Sequence, residues 1–85
     1  MLLVIINYAI LMPVIAVIAG VKIYMYFKDH NPPHFHAKEG SEEEVFDLDG
    51  KSLRGGVSPK KSKKIRNWAK DNKDFLNDQW NEHQK

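Results

Sequence analysis

Residues 30 to 36 read HNPPHFH, three histidines and two prolines in seven positions. Imidazole titrates near pH ~6.5 and can take or give a proton at neutral pH. On a strand, side chains alternate between faces, so His34 and His36 project the same way. That pair is the candidate acid and base of a metal-independent phosphodiester cleavage, with Tyr26 beside it. The weaker alternative is a metal site, in which His30, His34 and His36 supply nitrogen and Glu42, Glu43 or Glu44 supplies oxygen. The sequence offers no cofactor motif, and the reading adopted uses neither metal nor cofactor.

Such side chains need elements to hold them. In VKIYMYFK (21–28) the odd positions Val21, Ile23, Met25 and Phe27 are apolar, while the even positions are Lys22, Tyr24, Tyr26 and Lys28. This period of two predicts a strand with one buried and one polar face. DHNPP turns the chain, because proline fixes its own φ and extends the residue before it. HFHAK follows as a strand with His34, His36 and Lys38 on one side and Phe35 and Ala37 on the other. Gly40 and Ser41 mark a turn, and EEEVFDLDG returns with Phe46 and Leu48 inward. Upstream, VIAVI before Gly20 predicts another strand, and KSLRGGVS a loop or short edge strand.

Ser58-Pro59 is a helix start, Ser at the cap and Pro at the first helical position. From there Ile65, Trp68, Ala69, Phe75 or Leu76, and Trp80 follow helical spacing, interrupted by Asn72. The predicted fold is α+β: an antiparallel sheet of three to five strands with one long C-terminal amphipathic helix packed on one face. The other face then gathers Lys22, Tyr24, Tyr26, Lys28, His34, His36, Lys38, Asp47 and Asp49. Tyrosines flanked by lysines suit base stacking and phosphate contact on single-stranded RNA, with Tyr24 and Tyr26 as the platform.

The chain has 85 residues and no cysteine, which excludes disulfides, thiolate zinc sites and cysteine nucleophiles. A net charge of +2 hides a basic segment, since Lys60, Lys61, Lys63, Lys64, Arg66, Lys70 and Lys73 lie within 14 residues. Lysines in the first turns of a helix oppose its macrodipole, each costing roughly 0.3 to 1 kcal/mol. A polyanion or an acidic protein would reverse that sign, so Lys60, Lys61, Lys63, Lys64 and Arg66 are candidate RNA or partner contacts, as are Lys22, Lys28 and Lys38. Residues 1–21 carry no charge and are long enough to span a bilayer. Pro13 and the density of Val and Ile favour instead a single domain over 12–85, preceded by an apolar extension over 1–11 that is an upstream start or an extra strand. A membrane anchor is the disfavoured reading.

The Met12-Pro13 start, the Gly20 turn, VKIYMYF, HNPPHFHAKEG, the Gly-Val-Ser-Pro helix entry and Trp80-Asn81 together resemble the small prokaryotic proteins of domain of unknown function 4160. The resemblance spans Met12 to about Glu82 and makes His30, Asn31, Pro32, Pro33, His34 and His36 signature residues without an assigned role. It implies a component of a toxin-antitoxin-type gene pair beside a neighbouring gene product, and the absence of cysteine fits a cytoplasmic setting. Residues 32–50 also look like the first metal motif of cupins. The gap from His36 to Glu43 is too long for that motif, and the chain too short for the barrel. Two function classes therefore stand: an RNA-directed protein working through the His/Tyr/Lys face, and a non-enzymatic module binding an acidic protein through the basic helix.

Overall fold

A computed structural model describes residues 14–85. The extension expected over 1–11 lies outside the described residues. Five strands, β1 (Val14–Ile18), β2 (Val21–Tyr24), β3 (His34–Glu39), β4 (Glu42–Asp47) and β5 (Ser52–Arg54), form one antiparallel meander in chain order. Two tight turns fix the register. Ala19 and Gly20, with φ of 52° and 79°, join Ile18 to Val21, the positive pair that a two-residue hairpin requires. Gly40, at φ 58°, and Ser41 join Glu39 to Glu42.

The alternation read from the sequence sorts the sheet as expected. Val21, Ile23, Met25, Phe35, Ala37, Phe46 and Leu48 form the core, closed from the helical side by Val57, Ile65, Ala69, Leu76 and Trp80. Phe35 stacks on Phe46 at 5.2 Å, and Trp68 meets Phe35 edge-on at 6.0 Å. One carboxylate enters from the core side. Glu44 is buried and accepts hydrogen bonds from Ser52 Oγ at 2.7 Å and Ser62 Oγ at 3.1 Å, tying the helix to the sheet.

Three local expectations change. The helix is two helices, α1 (Pro59–Asp71) and α2 (Lys73–Gln84). Asn72 leaves helical geometry at φ −128°, its side-chain amide donating to the Trp68 carbonyl at 2.8 Å. That bond occupies the acceptor its own backbone N–H would use, so the helix stops, and α2 turns Leu76 and Trp80 into the core. Ser58 does occupy the cap position with Pro59 after it, but its hydroxyl makes no cap bond. The strand predicted over 21–28 ends at Tyr24. Lys28 takes φ 53° and donates its N–H to the His83 carbonyl at 2.8 Å, which draws 25–33 out of the ladder as a loop. Phe27 accordingly stacks on His83 of α2, at 4.7 Å, rather than on the sheet core.

Candidate functional site

Strand pairing sets Tyr24 opposite His36 and Lys22 opposite Lys38, so these four side chains share the sheet face away from the core. The loop over 25–33 then folds onto that face at its His34 end. Its Asp29 places Oδ2 2.8 Å from His34 Nε2 and 3.5 Å from His36 Nε2. A carbonyl oxygen can only accept, so the Pro32 carbonyl, 2.7 Å from His34 Nδ1, fixes a proton on that nitrogen. His34 thus has an acceptor at each ring nitrogen. Among the described residues, Asp29, His34 and His36 are the one group of three whose donor atoms converge, all within 4.8 Å of one another.

Both histidines are buried, at 4% and 9% exposure. His36 is clamped between Tyr24, stacked at 5.3 Å, and Tyr26, edge-on at 4.7 Å. Burial pushes the His36 pKa down despite the opposing pull of Asp29 and Glu43, so its ring is neutral at neutral pH. Burial alone would raise Asp29, but the His30 N–H and the two imidazoles outweigh it and hold the carboxyl below its ordinary range. Burial, and then donation to Glu43, push the Tyr24 phenol strongly up. Glu43 also takes Arg54 Nη2 at 2.8 Å and lies 3.7 Å from His36 Nδ1. Burial works to raise Glu43 as well, yet Tyr24, His36 and Arg54 together keep it below 4.5. A pocket of about 230 Å³ opens beside the cluster, lined by His30, Pro32, His34, His36, Val45, Leu53 and Arg54.

The structure redistributes the predicted site residues. His34 and His36 come together as expected, but Tyr24 is buried against His36 and Tyr26 is half-buried, so the tyrosines brace the histidines and Tyr24 presents no free face to a base. His30 stays at the rim, its side chain 82% exposed, with Nε2 3.7 Å from Asp29 Oδ1. The histidine side is not wholly clear of the helices, because Trp80 of α2 reaches His34 at 5.4 Å. Asp47 turns into the β4–β5 turn, accepting from the N–H groups of Asp49 and Lys51, and Asp49 pairs with Lys73. Asp29 is the carboxylate that the face reading missed. The available signal was its position, one residue before His30 in the same proline-rich turn.

Lys22, Lys28 and Lys38 are exposed, as are Lys60, Lys63 and Lys64 on α1, while Lys61 pairs with Glu39 and Arg66 is half-buried. The Lys61–Glu39 contact sets the start of α1 at the far end of β3 from His34, and Ile65 and Ala69 face the core side. The helix lysines and the histidine pocket are therefore separate regions. No helix among the described residues is long and apolar enough to cross a membrane.

A family model described as a domain of unknown function (DUF4160) matches residues 20–81, from the first hairpin turn to α2. The chain belongs to this family. The match contains every member of the DUF4160 candidate site, from Lys22 through Asp29 and the histidines to Arg54. Neither a curated protein nor a solved structure matches the chain.

Proposed function

We propose that this DUF4160 protein acts on RNA, as a cytoplasmic component of a toxin-antitoxin-type gene pair, through the sheet face that carries Lys22, Lys38 and the histidine pocket. One observation carries the reading: an open basic pair and a buried, braced polar cluster lie on one face of one sheet. Lys22 and Lys38 are directly opposed across β2 and β3 and both exposed. Like charges in that position destabilise a sheet by a few tenths of a kcal/mol, up to about 1 kcal/mol, and a phosphate between them reverses the sign. From Lys38 to His34 is four residues along β3, about 13 Å. A short run of RNA backbone laid along this face reaches the pocket, where Arg54 can meet a phosphate and His36 and His30 are the protic groups at its wall.

The test is binding of a short single-stranded RNA, followed by fluorescence anisotropy at several salt concentrations, with cleavage read on a gel. Lys22→Glu/Lys38→Glu should weaken binding roughly tenfold or more and flatten the salt dependence. His36→Ala should leave binding largely intact and remove any cleavage. Equal affinity of the double charge variant would refute the reading.

A second reading rests on α1. Its first turn holds no acidic residue, and Lys60, Lys63 and Lys64 are exposed over its first two turns. That arrangement favours an acidic protein, the product of the neighbouring gene, and makes the chain a binding module. Co-expression discriminates: a module of this kind co-purifies with its neighbour, and Lys63→Glu/Lys64→Glu breaks the complex.

A further inference from the structure

We propose that Asp29, His34 and His36 form a binding site for one divalent transition-metal ion of the zinc and cobalt class, with a coordination position open to the adjoining pocket. The inference stands on three donor atoms and is independent of whether RNA binds the face.

The donor spacing comes first. Ligands held at about 2.1 Å by a tetrahedral ion are about 3.4 Å apart. Asp29 Oδ2 lies 2.8 Å from His34 Nε2 and 3.5 Å from His36 Nε2. A proton on His34 Nε2 would account for the shorter of these distances. It leaves the longer one unexplained, because 3.5 Å is too far for a strong hydrogen bond from His36, yet His36 aims the same ring nitrogen at the same oxygen. The longer separation is that of two ligands on one tetrahedral ion, and the shorter one has to open by about 0.6 Å for the three atoms, all within 4.8 Å of one another, to close around a cation.

The surroundings are those of a prepared ligand set. The Pro32 carbonyl holds the His34 proton on Nδ1, which turns the Nε2 lone pair toward Asp29. This is the outer hydrogen bond that metal-bound histidines commonly make. Tyr24 and Tyr26 fix the His36 ring. His36 Nδ1 is buried and has no hydrogen-bond partner among the described residues, while Glu43 Oε1 stands 3.7 Å away. A small closure would complete a carboxylate–histidine–metal relay there, with Tyr24 steadying the carboxylate from behind.

Ligand chemistry chooses the ion. Two imidazoles with one carboxylate suit zinc, cobalt or iron better than magnesium or calcium, which prefer all-oxygen sets. Three protein ligands leave a position for water, the pattern of catalytic rather than structural sites. His34 and His36 also line the pocket of His30 and Arg54, which is large enough for a water and a small anionic group. His30 is a rim residue in this scheme and not a ligand.

The test titrates chelator-treated full-length protein with Zn²⁺ by calorimetry and with Co²⁺ by visible absorption. The expected result is one ion per chain and the intense cobalt bands of a four- or five-coordinate site. Asp29→Ala and His36→Gln should each weaken binding roughly 100-fold, whereas His30→Ala and His83→Gln should change it less than threefold. Circular dichroism on each variant separates loss of the site from loss of the fold, and His36→Gln keeps the packing should Asp29→Ala unfold. No ion taken up, or uptake indifferent to His36→Gln in a folded protein, overturns the site, as does uptake that depends on His30 or His83. Failure to bind the ion leaves the RNA test untouched, and failure to bind RNA leaves this one untouched.

Discussion

The two ends of β3 use charge in opposite ways. At its start, His34 and His36 are buried around Asp29, sharing one carboxylate oxygen at 2.8 and 3.5 Å, with Tyr24 stacked on His36. At its finish, Glu39 meets Lys61, and Lys22 and Lys38 face each other, both exposed. Buried polar groups in low dielectric hold their geometry strongly and cost much when a partner is removed. Exposed charges contribute little to stability but set what the surface attracts. The first end therefore holds its geometry, and the second leaves its charge open to solvent.

The contrast can be broken first at Asp29. Asp29→Ala leaves two buried imidazoles without their common acceptor and should cost about 3 kcal/mol of unfolding free energy, read by urea denaturation. A loss as small as a surface substitution gives would mean that the cluster is not held as described. The buried polar link near the start of α1 comes next. Ser62→Ala deprives Glu44 of one of its two donors and should cost about 1 to 2 kcal/mol in the same assay, with Ser62→Thr recovering part of it.

Variants at the exposed end should behave differently. Lys22→Glu/Lys38→Glu should move the urea midpoint little, since both side chains are exposed and one like-charge pair replaces another without breaking a buried contact, while altering RNA affinity roughly tenfold. The smallest effect belongs to Glu39. The hydrogen bond from Lys61 lowers its pKa below the ordinary 4.5. A depressed carboxylate lends stability above its unfolded pKa and loses it as pH falls through the folded value. Wild type should therefore lose slightly more stability than Glu39→Gln between pH 5 and 3, by thermal melts at low salt. High salt should erase that difference.

The sheet was legible because alternation in VKIYMYFK and HFHAK is a local property of the chain, and the glycines at 20 and 40 punctuate it. The site was legible only in part. Alternation gives the face on which Tyr24 and His36 lie, but not what covers that face. The cover is a loop whose course depends on Lys28 at positive φ and on its N–H reaching His83, 55 positions further along the chain. Asp29 therefore joins His34 and His36 through tertiary geometry that no periodicity encodes. Asn72 was visible as a break in the apolar pattern. That its amide would capture the Trp68 carbonyl and end the helix follows only from the packing of Leu76 and Trp80 beyond it.

RNA capture by this face is tested by an NMR titration of the labelled protein with a short single-stranded RNA, following the histidine ring carbons and the lysine and arginine side chains. The signals of His30, His36, Arg54, Lys22 and Lys38 should move together and saturate together. Shifts confined to Lys60, Lys63 and Lys64 on α1, or none at all, would contradict it.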